Sequence, residues 1–214
     1  MKERPILFSG AMVRALPRKT QTRRVVKGFA LDLPKPGNFT PEYVALPENG
    51  NSPYGYADDR LWVRETFFAY GRWKTRFSEK KGRDEWHFID MTLECDRAYQ
   101  YAADDPDIPV TTSRHGGVTP AWWKRPAIHM PRAASRIMLE VTGVRVERLQ
   151  DISEADAIAE GVHAGSWEYD NGEGTETARE SFQCLWDSLN AARGYGWDAN
   201  PWVWVVELKK VDLS

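Results

Sequence analysis

Apolar and polar positions alternate in short runs along most of this chain, and turn formers separate the runs. Ile6 to Phe8 is an apolar run before Ser9, a helix N-cap type, and Met12, Val13 and Leu16 follow at helical spacing until Pro17. This predicts a strand, a short helix and a loop at Pro17-Arg18-Lys19. The β-branched stretch Thr20–Val26 predicts a strand with Thr20, Thr22 and Arg24 on one face and Lys19 at its mouth. Between 31 and 57 the breakers Pro34, Pro36, Gly37, Pro41, Pro47, Gly50, Pro53 and Gly55 predict a long surface loop, whose Tyr54 and Tyr56 are candidates for a lid.

Leu61–Phe68 alternates as a strand, with Trp62 and Arg64 on one face. Residues 71–130 mix charge with turn formers and read as an irregular insertion. Ile137–Leu149 reads as a long strand bent or bulged at Gly143. Ser153 and Asp156 open a short helix as a capping box, and Gly161 ends it. Thr177 and Glu180 form a fuller box, followed by Phe182, Leu185, Trp186 and Leu189 on one helical face. Trp202–Leu208 is a bulky closing strand that starts after Pro201.

Few helices and no strand–helix–strand rhythm place the chain in the α+β class. At 214 residues we expect one core, residues 1–214, with a long insertion at about 71–130. A formal net charge of -2 argues against coating polyanions through bulk charge, so any nucleic-acid contact must come from a local patch. Cys95 and Cys184 form no paired motif and are expected as buried free thiols. His87, His115, His129 and His163 show no ligand spacing, so neither metal nor cofactor is expected. Apolar runs stop well short of the roughly 18 residues of a membrane span, and the cytosol is the expected compartment.

The strongest local bias lies between Arg14 and Lys27, where Arg14, Arg18, Lys19, Arg23, Arg24 and Lys27 occur with no acidic residue among them. A solvated basic face, phosphate contact by the arginines and proton chemistry by Lys19 are all physically open. Trp122-Trp123-Lys124-Arg125 combines aromatic and basic side chains, as a base-stacking site or a packed loop anchor would.

The run Pro17-Arg18-Lys19-Thr20-Gln21-Thr22-Arg23-Arg24 resembles the signature loop and strand of the ASCH family. Asp59–Glu65 and Trp202–Glu207 also resemble that family, particularly its tryptophan-rich phage and prophage members. Departures are Pro17 in place of the usual glycine and Asp58 in place of the glycine of a Gly-Asp turn. The resemblance implies a PUA-like small β-barrel with flanking helices. One branch of the family removes the acyl group of N4-acetylcytidine with a lysine, a threonine and a glutamate. Matched to that branch, the catalytic residues are Lys19, Thr22 and Glu160, with Arg18, Arg23, Arg24, Trp62 and Arg64 as substrate-binding candidates. The implied partner is a modified cytosine nucleoside or RNA, with no membrane. An amidohydrolase, a non-catalytic binder of RNA or of a modified base, and a ribonuclease all remain open.

Overall fold

The computed structural model describes residues 1–28, 39–112, 119–162 and 177–211. His115, His163, the Gly116-Gly117 turn and the first prolines of the 31–57 loop lie outside them. In chain order the elements are β1 (Glu3–Leu7), α1 (Gly10–Ala15), β2 (Gln21–Val25), α2 (Pro41–Ala45), β3 (Arg60–Arg64), β4 (Phe67–Ser78) and β5 (Arg83–Asp90). Then come β6 (Gln100–Tyr101), β7 (Val110–Thr111), β8 (Ala121–Arg125), β9 (Met138–Arg148), α3 (Glu154–Ala159), α4 (Ala178–Asn190) and β10 (Trp202–Val211). Among the described residues these ten strands form two sheets, which is the α+β class. The first sheet has the order β1-β3-β9-β10-β2, and among the described residues no pairing of β1 with β2 closes it into a barrel. No helix among the described residues is long and apolar enough to cross a membrane.

The chain divides into two compact units, the first made of Met1–Ile6, Arg14–Trp62 and the chain from Ile137 on. Its spine is the antiparallel pair β9–β10, whose register shifts between Glu207 and Leu208, opposite Gly143. A Cβ at Gly143 would stand 2.6 Å from a Glu207 carboxylate oxygen, so a side chain there would displace the end of Glu207. One face of β10 presents Val203 and Val205 to Phe182 and Trp186 of α4, with Leu149, Ile152, Ala157 and Trp197 completing that core. Each large side chain buried there contributes about 1.5–3 kcal/mol. Both Thr177 and Glu180 satisfy backbone N–H groups at the start of α4, which closes the expected capping box. The Glu154 carboxylate accepts from Ala178 and Arg179 N–H and so ties α3 to the start of α4.

Leu7–Val13 and Val63–Arg136 form the second unit. Its sheet has the order β5-β4-β8-β7, with β6 paired to β4. Phe67, Ala69, Met130 and Ala134 make its core, with Phe88, Tyr99 and Tyr101 packed against them. The buried Glu65 carboxylate receives both Nε and Nη2 of Arg136, whose guanidinium also meets Asp104 and lies 3.9 Å from the Tyr101 ring centroid. That arrangement satisfies a carboxylate which would otherwise be costly to bury.

Four expectations are corrected by these elements. The span 71–130 is not irregular, because it holds most of β4 together with β5 and β8. Its outer half is exposed on both faces, so no apolar alternation advertises it. The 31–57 loop contains α2, since Pro41 sits in the first turn, where a missing N–H costs nothing, and Thr40 accepts from Tyr43 N–H as its cap. Cys95 and Cys184 are both exposed. Leu189 is 46% exposed rather than part of the packed face of α4, which ends on Trp186.

Candidate active site

The turn that carries Lys19 is built by the end of α1. The carbonyl of Ala15 accepts from Arg18 N–H at 3.0 Å and from Lys19 N–H at 2.9 Å, after which Thr20 N–H donates to Ala159 O at 2.9 Å. Lys19 is thus held between the last turn of α1 and the last turn of α3. Gly161 allows this approach: its φ is +90°, and a Cβ there would stand 3.0 Å from the Ala15 Cβ and 3.2 Å from the Lys19 Cβ. The Lys19 ammonium donates to Glu160 Oε2 at 2.6 Å and to the Glu160 carbonyl at 2.7 Å. Each of the two residues is 6% exposed, so the pair is shielded from solvent. Burial pushes the Lys19 pKa below the usual lysine range; the charge and hydrogen bond of Glu160 pull it up, and Arg24 and Arg23 push it down.

Three carboxylates converge on Arg23 from β9 and α3. Its Nε and Nη2 donate to Glu147 Oε1 at 3.1 and 2.5 Å, Nη2 donates to Asp156 at 3.2 Å, and Nη1 donates to Glu160 Oε1 at 3.3 Å. Its side chain is fully shielded, so the guanidinium is taken up inside the protein rather than offered to a phosphate. Arg145 extends the network by donating to Glu147, Asp156 and Glu207. Asp156 has partners beyond its own helix end. Ser153 Oγ accepts its N–H, but the Asp156 carboxylate turns to Gln21, Arg23 and Arg145. Burial alone would raise the Asp156 pKa, but the Gln21 hydrogen bond and the charges of Arg23 and Arg145 hold it below the usual range.

Strand register separates Thr22 from that network. Arg23 is opposite Val205, and Val205 is opposite Arg145; Thr22 is opposite Val206, which is opposite Val144. Alternation therefore puts Gln21 and Arg23 on the face that meets α3, and Thr22 and Arg24 on the other face of the sheet. Thr22 is 1% exposed, and the bonds described on the Glu160 carboxylate come from Lys19 and Arg23. Arg24 nonetheless acts electrostatically on Lys19 and is itself acted on by Tyr54 and Glu160, with burial as the larger influence. The charged end of the Thr22 face is therefore within electrostatic reach of the pair.

The remaining candidates are more loosely placed. Arg18 is exposed. Trp62 is half-buried on β3. Arg64 belongs to the second unit, where its guanidinium donates to the Ile128 carbonyl. Tyr54 is half-buried, and burial pushes its hydroxyl pKa up while Arg24 pulls it down. Tyr56 is tied within its own loop, its hydroxyl accepting from Ser52 N–H at 3.1 Å. Among the described residues no group of three His, Cys, Asp or Glu is placed to hold a metal ion.

Comparison of the chain with models of known protein families, with curated proteins and with solved structures finds no significant match. Glu147, Arg145 and Gln21 escaped the sequence reading. Their only signal is a charged or polar side chain at an alternate position of a bulky strand, and that signal does not name a partner.

Proposed function

We propose that this chain is a PUA-like hydrolase that acts on an amide of an acylated cytosine nucleoside, nucleotide or nucleic acid. Supporting this reading is the shielded contact between Lys19 and Glu160 at 2.6 Å, two residues 141 positions apart that the ASCH resemblance pairs at one site. Amide hydrolysis needs a nucleophile, a proton carrier and a partner for the developing oxyanion. A lysine whose pKa is lowered by burial carries protons at neutral pH better than an exposed one. In this mechanism Thr22 Oγ1 adds to the acyl carbonyl carbon, and its proton passes to the carboxylate of the Lys19–Glu160 ion pair. Arg24 lies on the Thr22 face as the counter-charge for the oxyanion. Collapse breaks the C–N bond, and the cytosine amine leaves with the proton from the Lys19–Glu160 pair. Water then cleaves the threonine ester, releasing the carboxylic acid and restoring the hydroxyl. The cytosol is the compartment this chemistry implies.

Incubating the protein with N4-acetylcytidine and other acylated cytidines, and following products by mass, tests the reading. Release of cytidine and the free acid is expected from wild type. No turnover on any acylated cytidine, as nucleoside or within RNA, would remove it. A second reading, a non-catalytic binder of a modified base, draws on the full engagement of Glu160. Both of its carboxylate oxygens are already bound, by Lys19 and by Arg23.

A further inference from the structure

The β4–β5 hairpin of the second unit sorts its charges by face. In its antiparallel register Lys74 is opposite His87, Arg76 is opposite Glu85 and Ser78 is opposite Arg83, and directly opposed residues share a face. Alternation along β4 adds Arg72 to that face, and Arg72, Lys74, Arg76 and Arg83 are all exposed. The carboxylate on this side, Glu85, is already bound by Lys81 at 2.6 Å. Asp84 and Asp90, opposite Phe77 and Gly71, lie on the reverse face.

The basic face continues into an aromatic platform. Tyr70 is opposite Trp122, and the two rings meet edge to face with centroids 5.6 Å apart. The Arg97 guanidinium lies 4.1 Å from the Tyr70 centroid and 5.8 Å from that of Trp122, and Arg97 itself is exposed. Lys124, opposite Phe68, adds another exposed cation to the same face.

We propose that this face binds a single-stranded nucleic acid, with the cations of β4 and β5 following its phosphates and the Tyr70–Arg97–Trp122 stack receiving an unpaired base. Arg72, Lys74 and Arg76 recur at every second residue, about 7 Å apart, a row that an extended strand can follow phosphate by phosphate. With the whole chain at a net charge of -2, the attraction for phosphates comes from this local face and not from bulk charge. A guanidinium plane on an aromatic ring is a surface on which unpaired bases stack, which a duplex does not present. A membrane surface fits less well, because the exposed apolar rings Phe77 and Trp86 are on the reverse face. This inference concerns the second unit and stands apart from the hydrolase reading.

The test is fluorescence anisotropy of a labelled single-stranded RNA of about fifteen nucleotides with the full chain, between about 50 and 200 mM salt. The variant Arg72→Gln/Lys74→Gln/Arg76→Gln should weaken binding at least ~10-fold and flatten the slope of log K against log salt by about 2, at about 0.7 per phosphate contact. Circular dichroism checks that this variant is folded. The pair Lys74→Gln/Arg76→Gln, in the outer half of the hairpin, carries the same test with a slope change of about 1.4 should the triple variant lose structure. Phe77→Gln, on the reverse face, should leave affinity unchanged. The proposal is overturned if wild type does not bind the strand or if the charge variants bind like wild type. Equal binding of a duplex of the same sequence, or stronger binding to anionic vesicles, also overturns it.

Discussion

Lys19 and Glu160, 141 positions apart, meet as a shielded ion pair in which the ammonium also binds the backbone carbonyl of its own partner residue. One side chain thereby does two things: it neutralises a carboxylate and satisfies a carbonyl at the C-terminal end of α3. Position and charge are coupled at this point. The pair and the Thr20 N–H bond to the Ala159 carbonyl together join the last turn of α3 to the start of β2.

Losses from removing the two members of the pair should not add. Glu160→Gln strands a buried ammonium and should destabilise by about 3–5 kcal/mol. Lys19→Met should cost less, because Arg23 still holds the other Glu160 oxygen. The double variant Lys19→Met/Glu160→Leu should lose clearly less than the sum, as read by urea unfolding of all four proteins. Additivity within about 0.5 kcal/mol would show that the pair is not coupled.

Thr22 separates the two functional readings. If its hydroxyl is the nucleophile, Thr22→Ala should abolish turnover of acylated cytidine while leaving affinity for the product nearly unchanged, and Thr22→Ser should retain measurable activity. Turnover that survives Thr22→Ala assigns the attack to water activated by Lys19 or Glu160. This outcome is chemically open because register places Thr22 on the sheet face away from Arg23.

Asp156 should govern part of the acid limb of stability. Its folded pKa lies below the unfolded value of about 3.9, so it stabilises the native state above that pH. The contribution is lost as pH falls through the folded pKa. Asp156→Asn should therefore lower stability at neutral pH and flatten the decline below about pH 4, measured by urea midpoints across pH. A parallel displacement of the whole curve, with the acid slope unchanged, would sink this assignment.

Gly161 and Gly50 make a matched comparison. Both have positive φ, but a Cβ at Gly50 meets nothing within 4 Å, whereas one at Gly161 meets Ala15 and Lys19. Gly50→Ala should cost about 1 kcal/mol of left-handed strain, and Gly161→Ala should cost more, at about 2–3 kcal/mol, because the Lys19 turn must shift. Thermal melts of the two variants decide it; equal losses would mean that the approach to Lys19 is not tight.

Local periodicity carried much of the first unit. Alternation places strands at Thr20–Val26, Ile137–Leu149 and Trp202–Leu208, and β2, β9 and β10 lie within one or two residues of those bounds at most ends. Capping residues placed α3 and α4 equally well, because a Ser or Thr cap acts on its own backbone. The β4–β5 hairpin was hidden for the converse reason. Thr75, Arg76 and Phe77 are exposed in succession, so neither face is marked by burial.

By itself, then, the sequence determined many of the strands and helices of the first unit, which of their side chains share a face, and that Arg14–Lys27 is a concentrated source of positive charge. Only the tertiary structure decided what that charge meets. It turned Arg23 inward to Glu147, Asp156 and Glu160, tied Asp156 to the sheet as well as to its own helix end, and left Arg72, Lys74 and Arg76 facing solvent. The physical reason is range: a strand's alternation is set by its own backbone, whereas an ion pair needs two elements, far apart in the chain, brought to within hydrogen-bond distance by the register and packing of everything between them.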